Sequence, residues 1–313
     1  MRLAVLVALA AQVAAAGDLP LDLLPANTKV VFGIHVPGIA ESALFNDPGT
    51  GAKKFSEEWL KFVAITGFDP LRDIDEVLVA SAADSEKAAA LLVLRGRFDL
   101  ERMGAGATRY RGIAIVGGGK GGNSVLALMD AATAVAGEIP AVRAAIDRRG
   151  HGAALDASLA ARVQSLRERF DIWGTGERPE GFVAPTGKRA ELDSMDRFEF
   201  GVRINQGFAL GAELHMRSQQ DADKLAASID ALKAMMSGQV QAGPKVDVQV
   251  EAGTVKISLA ISEADLKRAM AAQRAAAAPV NAGPPRIVST ESAMPAPGIQ
   301  NGGTTVLVLP GKK

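Results

Sequence analysis

The chain has 313 residues, and 35 basic side chains (Lys and Arg) balance 35 acidic ones, so the formal net charge is zero. Nucleic-acid-binding proteins usually carry a basic excess or a basic stripe, and this chain has neither. The absence of cysteine excludes disulfides, thiolate metal sites and the cysteine-linked lipid of lipoproteins. The length is sufficient for more than one domain with a sizeable core.

The N-terminus has the three parts of a secretory signal peptide. A basic start (Met-Arg) precedes an apolar stretch at residues 3–13, and the small residues Ala14 and Ala16 define a cleavage site. We predict removal of residues 1–16 and export to the periplasm or the cell exterior. The alternative is a retained anchor, but about 14 apolar residues are fewer than the roughly 20 that a membrane-spanning helix needs. After cleavage we expect no integral membrane protein.

Residues 27–149 are predicted to form a first α+β domain. Its strands are indicated by short β-branched and aliphatic runs between turns, beginning with TKVVFGIHV at residues 28–36. Further strands are predicted at 76–80, 89–95, 110–116, 124–129 and 133–136, with helices at 55–66 and 139–149 and a helical turn at 99–103.

Residues 152–274 are predicted to form a second α+β domain. Its first helix is indicated by Leu159, Val163, Leu166 and Phe170, which recur at the four- and three-residue spacing of one helix face. A strand at 171–174 and a surface loop at 177–187 follow.

A β-hairpin is the clearest pattern in this second domain. Phe198 and Phe200 alternate with Glu199, and residues 208–216 alternate in the same way, which predicts two strands with one buried face and one wet face. The Asn-Gln-Gly sequence at 205–207 supplies the turn between them.

A helix is predicted directly after this hairpin. Leu225, Ile229 and Leu232 mark its buried face, and Ser218, three residues before Asp221, resembles a capping-box start.

Residues 246–274 repeat this order, with two alternating strands, a turn at 252–253, and a helix that begins at Ser262, three residues before Asp265. Residues 110–149 are a looser third version. We therefore predict an α+β fold in which antiparallel sheets are built from repeated β-β-α units, with helices packed on one face, in two tandem domains.

The C-terminal residues 275–313 are rich in Pro, Ala and Gly and show no periodicity, which predicts a disordered tail. Within it, residues 304–309 (TTVLVL) have high β-propensity. This segment either docks as an edge strand or stays free.

No catalytic, cofactor or metal site is indicated by a motif. The glycine-rich stretch at 117–122 (GGGKGG) lacks the nucleotide-binding pattern and leads into a strand, so Lys120 is predicted to lie in a connector. The three histidines, His35, His151 and His215, show no paired metal-ligand spacing, and there is no nucleophile-elbow motif. We expect a non-enzymatic protein without a cofactor.

Two acidic clusters are candidate functional sites. The first contains Asp69, Asp73, Asp75 and Glu76, and the second contains Glu191, Asp193, Asp196 and Glu199. The spacing of the first fits no cation-binding loop, so helix capping and solvation are favoured. The second could serve acid–base chemistry, but a solvated entry to a strand is the favoured interpretation.

The wet face of the hairpin is the predicted interaction face. It carries Arg203, Glu213, His215 and Arg217. These residues favour a non-catalytic binding or scaffolding protein of the bacterial cell envelope with a protein partner. The alternative is a periplasmic carrier or sensor that holds an apolar ligand between sheet and helices. An open apolar cavity would favour the carrier, and a closed core with an exposed apolar patch would favour the binding protein.

Four stretches resemble a group of secreted bacterial proteins. They are TGFDPLRDIDEVLVAS at 66–81, VLRGRFDLERM at 93–103, YRGIAI at 110–115 and AVAGEIPAVRAAIDRR at 134–149. The resemblance covers most of the mature chain and implies export and repeated α+β units. It implies no activity and no catalytic residue, because the matching motifs are turn and packing residues.

Overall fold

The structure is a computed structural model that describes residues 19–46, 67–82, 90–117, 123–151, 155–178, 190–205, 207–237 and 245–277. Several predictions fall outside these residues and stay predictions. They are the signal peptide (1–16), the helix at 55–66, the connector with Lys120, the loop around 179–187 and the tail segment with residues 304–309. The predicted tail begins too early, because residues 275–277 are the last turn of a helix.

Twelve strands of the described residues form one antiparallel sheet. In chain order they are β1 (Val30–His35), β2 (Ile74–Ser81), β3 (Leu91–Gly96), β4 (Thr108–Tyr110), β5 (Ile113–Gly117), β6 (Ser124–Leu128), β7 (Thr133–Glu138), β8 (Ile172–Glu177), β9 (Met195–Arg203), β10 (Phe208–Met216), β11 (Lys245–Glu251) and β12 (Thr254–Ile261). Their order across the sheet is β11-β12-β10-β9-β8-β1-β2-β3-β7-β6-β5-β4. The predicted α+β class with an antiparallel sheet is confirmed.

One predicted strand, at 110–116, is two strands in the structure. Arg111 and Gly112 both have positive φ, of 48° and 83°, and they form a two-residue turn between β4 and β5. Two successive left-handed residues match the twist of a tight hairpin, and glycine adopts this conformation without strain.

The described residues contain eight α-helices, and several of them begin at a side-chain cap. The eight helices are α1 (Val36–Glu41), α2 (Ala43–Asn46), α3 (Pro70–Asp73), α4 (Leu100–Met103), α5 (Ile139–Arg148), α6 (Ala157–Arg169), α7 (Gln219–Ser237) and α8 (Glu263–Ala277). Ser218 Oγ accepts from Asp221 N at 3.1 Å, and Ser262 Oγ accepts from Asp265 N at 3.1 Å. Both predicted Ser-x-x-Asp starts therefore cap a helix.

Helices cover both faces of the sheet, which corrects the prediction of helices on one face. Helices α5 and α6 pack on one side, where Val142 and Val163 meet Leu78 and Val93 of the strands. The short helices α1, α3 and α4 and the long helix α7 lie on the other side. The reason is that central strands are apolar on both faces, so each face must be covered.

The sheet is continuous across the predicted domain boundary at residues 150–152. Strand β1, from the first predicted domain, pairs with β8, from the second, over the register Val30↔Gly176 to Ile34↔Ile172. The division into two tandem domains is therefore not confirmed and stays a prediction.

The structural repeat is also not confirmed. Both segments have the order strand, strand, helix, but β12 rather than β11 pairs with β10, so that β11 is an edge strand. In α7, Leu225 is buried as predicted and Ile229 is partly buried, whereas the side chain of Leu232 is outside the described part of the structure.

Candidate functional site

Strands β8 to β12 have two chemically different faces. Paired residues in an antiparallel sheet point to the same side. One row across the strands is Thr175, Glu199, Glu213 and Lys256, and we call this side the polar face. The neighbouring row on the opposite side is Phe32, Gly174, Phe200, Ala212 and Ile257, and we call that side the aromatic face.

A cavity of about 920 Å³ lies at one end of the polar face, between the start of α6 and the strand ends of β1, β8, β9 and β10. Five basic side chains line it, namely Lys29, Arg162, Arg178, Arg197 and Arg217. We call this space the arginine cavity. The sheet brings these residues together from positions far apart in the sequence.

Three of these cations have their own carboxylate at short distance. Lys29 Nζ lies 2.9 Å from Glu177 Oε2 and Arg178 Nη2 lies 2.8 Å from Asp193 Oδ1. Arg217 Nε lies 3.0 Å from Asp196 Oδ1. The second acidic cluster therefore supplies partners for arginines, which agrees with its interpretation as a strand entry.

Arg162 and Arg197 lack such a partner and share Glu199. Glu199 Oε1 lies 3.8 Å from Arg162 Nε and 3.8 Å from Arg197 Nε, which is too long for a hydrogen bond. Arg162 instead donates from Nε to Thr175 Oγ1 at 3.2 Å and from Nη1 to Ser158 Oγ at 3.0 Å. Among the described residues, the buried Nε of Arg197 has no hydrogen-bond acceptor.

His215 orients Arg197. Arg197 Nη2 donates to His215 Nε2 at 3.0 Å, so the histidine proton is on Nδ1, which donates to Thr254 Oγ1 at 3.0 Å. Burial, followed by the charge of Arg197, lowers the pKa of His215. The imidazole is therefore neutral at pH 7 and adds no positive charge to those of Arg162 and Arg197.

The same surroundings shift the pKa values of Glu199 and Arg162. Burial raises the pKa of Glu199, against the opposing effect of Arg162 and Arg197. Burial and the repulsion from Arg197 lower the pKa of Arg162. Both directions indicate that the charges are partly removed from water and incompletely compensated.

A smaller cavity of about 220 Å³ adjoins Glu199 on the polar face. Glu213, Asp247, Lys256 and Phe170 contribute to its lining. The Phe170 ring lies directly on the backbone of Gly201, where a Cβ atom would be 2.0 Å from Phe170 Cδ2. This cavity is bordered by both acidic and basic side chains.

The predicted interaction face is divided between these places. Glu213 lines the smaller cavity and Arg217 lines the arginine cavity. His215 is half-buried in the network with Arg197, rather than exposed as expected of a wet strand face. Arg203 pairs with Ala209 at the far end of β9, so the four residues do not form one site.

Arg162, Arg178 and Arg197 were missed by sequence reasoning. One signal was present, because the hairpin turn at 205–207 implies a register that places Arg197 opposite His215. For Arg162 and Arg178, no local pattern indicates which strands lie beneath α6.

On the aromatic face, three phenylalanines form an apolar cluster. The ring centroid of Phe32 lies 6.2 Å from that of Phe198 and 6.0 Å from that of Phe200. Gly174 makes room for the rings, because a Cβ atom there would lie 2.4 Å from Phe32 Cδ1 and 2.6 Å from Phe200 Cε1. Phe32 is 39% exposed although β1 is a central strand.

The first acidic cluster has structural roles. Asp69 caps α3 by accepting from Leu71 N at 3.1 Å, and Asp73 pairs with Arg72. The Glu76 carboxylate is buried and accepts from Arg167 Nε at 2.8 Å. Within the described ranges, no group of three His, Asp or Glu side chains is placed to hold a metal ion.

Comparisons with known proteins assign no family. No family model and no curated protein matches the chain. Among solved structures, the chain is similar to TP0453 in its crystal form IV, with 10% sequence identity and a TM-score of 0.45. The match covers 82% of this chain and 97% of that one. The resemblance to secreted proteins with repeated α+β units is thus not supported by a named relative.

Among the helices that the structure describes, none combines the length and the apolar character needed to cross a bilayer.

Proposed function

We propose that the protein is an exported, non-catalytic binding or scaffolding protein of the bacterial cell envelope, and that the aromatic face contacts a partner protein. The observation that carries this proposal is the exposure of Phe32 at the centre of the sheet. Exposed apolar patches on soluble proteins commonly mark interaction sites, because leaving aromatic surface in water is unfavourable.

The extent of the aromatic face supports a contact surface. Phe200, Val202 and Leu210 are partly exposed on this side of neighbouring strands, next to Phe198 and Ile257, which pack against the cluster beneath α7. An aromatic side chain contributes a large contact area at a small cost in conformational entropy, which is why aromatic residues are enriched in interfaces.

Export is proposed from the sequence of residues 1–16, which has the composition of a signal peptide. Intact-mass measurement of the protein isolated from its native envelope tests this step. We expect a chain that begins at Gly17, and a mass that includes residues 1–16 would contradict export by cleavage.

The second candidate function is a carrier of an apolar ligand. The same three phenylalanine rings favour it, because a flat apolar cluster can also receive an acyl chain. Against it, three cavities formed by the described residues are each bordered by charged side chains. We therefore favour a protein partner over a ligand enclosed between sheet and helices.

A photo-crosslinking amino acid at position 32, introduced in the native cell, separates the two functions. Leu100, which is 42% exposed on α4, is the matched control because it is an exposed apolar residue outside the phenylalanine cluster. We expect one defined protein adduct at position 32 and none at position 100. Equal labelling at both positions would contradict a specific contact, and a bound lipid of fixed mass in native mass spectrometry would favour the carrier.

A further inference from the structure

The arginine cavity lies on the opposite side of the sheet from the aromatic face, and its chemistry is different. Its large volume, about 920 Å³, leaves room for a small molecule or a headgroup beside the basic side chains. Its basic residues are not equivalent, since Lys29, Arg178 and Arg217 each have a close carboxylate. Within the described part of the chain, Arg162 and Arg197 have only the shared carboxylate of Glu199, at 3.8 Å.

These two guanidinium groups are arranged for an external acceptor. The Nε atom of each lies 3.8 Å from Glu199 Oε1, so a single ligand group beside this carboxylate can contact both guanidinium groups. Their neutral partners, Ser158, Thr175 and His215, orient the side chains without neutralising them. Their planar N–H groups match the spacing of oxygen atoms in a phosphate or carboxylate.

The helix N-terminus at the same cavity does not account for an anion. Asp156 Oδ1 accepts from Ser158 N at 3.0 Å and from Leu159 N at 2.9 Å. These first-turn amides of α6 are therefore already satisfied by the protein. Asp156 also lines the cavity and its negative charge acts on Arg162, so the candidate donors to an anion are the two arginine side chains and not the helix amides.

We propose that Arg162 and Arg197 bind a phosphate-type oxyanion in the arginine cavity, next to Glu199. Both guanidinium groups share the carboxylate of Glu199 at 3.8 Å, and a phosphate group between them can accept a direct charged hydrogen bond from each. The buried Arg197 Nε, which has no acceptor among the described residues, gains one in this complex. The site goes beyond the proposed function, because it involves the other face of the sheet.

A phosphate group can come from a phosphorylated small molecule or from a phospholipid headgroup. Titration calorimetry with inorganic phosphate, at pH 7 and constant ionic strength, tests the first source. Cosedimentation with phosphatidylcholine vesicles, with and without phosphatidylglycerol, tests the second. Saturable binding in either experiment supports the site only if it depends on Arg162 and Arg197, and the absence of binding in both would overturn the proposal.

The dependence is tested with Arg162→Gln and Arg197→Gln, each of which should weaken binding at least about tenfold, since a charged hydrogen bond is lost. The matched control is Arg217→Gln in the same cavity. Arg217 is exposed and paired with Asp196, so this change should alter the affinity by less than about threefold. Equal losses in all three variants would indicate a diffuse basic field and overturn a specific site.

Glu199→Gln keeps the test decisive if an arginine variant fails to fold. Removing the carboxylate that competes for both guanidinium groups should tighten phosphate binding several-fold, about threefold or more. Unchanged or weaker binding by a folded Glu199→Gln protein would contradict the proposal.

Discussion

The indole of Trp173 on β8 lies directly against Gly33, its register partner on β1. A Cβ atom at position 33 would be 2.1 Å from Trp173 Cε2, so the ring occupies the space that any other residue would need. Trp173 is almost fully buried and packs in the core beneath α5 and α6. This contact joins the segments that the sequence assigned to separate domains.

Gly33→Ala should therefore destabilise the protein by about 1–3 kcal/mol, because overpacking forces the ring or the strand to move. Urea unfolding followed by far-UV circular dichroism measures this change. Gly211→Ala is the control, because a Cβ atom there meets Phe170 at an ordinary distance of 3.4 Å. We expect the control to be neutral within about 0.5 kcal/mol. Equal effects at both positions would contradict the close contact with Trp173.

The same experiment tests the number of domains. If the sheet unfolds as one unit, circular dichroism and tryptophan fluorescence should give one coincident transition. A Trp59→Phe background makes Trp173 the remaining tryptophan, since the chain has two. Two separate transitions would support the division at residues 150–152.

Leu225 provides a test of the core beneath α7. It is buried, and it packs with Ala222, Met216 and Val255. Leu225→Ala should lower the free energy of unfolding by about 2–5 kcal/mol, through lost burial and a cavity. Lys224→Ala, next to it on the exposed side, should change the free energy by less than about 0.5 kcal/mol. A small effect at Leu225 would show that α7 does not pack on the sheet.

The local elements were largely predictable, and the reasons are visible in single residues. Alternation around Phe200 and Glu199 defines β9, and Ser218 and Ser262 cap their helices as predicted. Local patterns do not encode which strands become neighbours, so the pairing of β1 with β8 was missed. The same limit applies to Arg162, because its contacts with Thr175 and Glu199 depend on where α6 crosses the sheet.

The buried ion pair between Glu76 on β2 and Arg167 on α6 should stabilise the helix on the sheet. Arg167 Nε donates to both carboxylate oxygens, at 2.8 and 3.1 Å. Glu76→Gln should cost about 3 kcal/mol, because it leaves a guanidinium charge in a poorly hydrated place. Equilibrium unfolding in urea measures this loss.

Two further variants distinguish the cost of an unpaired buried charge from a nonspecific loss of stability. The double variant Glu76→Gln/Arg167→Met should recover part of the loss, since no unpaired charge remains. Glu263→Gln breaks an exposed pair with Lys267 and should cost less than about 1 kcal/mol. If the double variant is as unstable as the sum of its single changes, the two side chains are not coupled.

His215 should make stability depend on pH. Its pKa in the folded protein lies below the ordinary value of 6.5, first because of burial and then because of Arg197. The unfolded chain therefore binds a proton more readily, so the free energy of unfolding falls as the pH is lowered through about 6.5 toward the folded-state pKa. His215→Gln removes this contribution, and the variant should lose less stability than the wild type between pH 7.5 and about pH 5.5.

Glu199 should have the opposite effect on the pH dependence of stability, so its variant serves as an internal control for that of His215. Burial raises its pKa above the ordinary value of 4.5, so the folded protein binds the proton more readily than the unfolded chain. The free energy of unfolding therefore falls as the pH rises from about 4.5 through the folded-state pKa. Glu199→Gln should therefore lose more stability than the wild type when the pH is lowered from neutral toward about 4.5. Urea unfolding at a series of pH values gives both slopes. Identical slopes in His215→Gln and wild type would show that His215 is not held neutral by its contacts with Arg197 and Thr254.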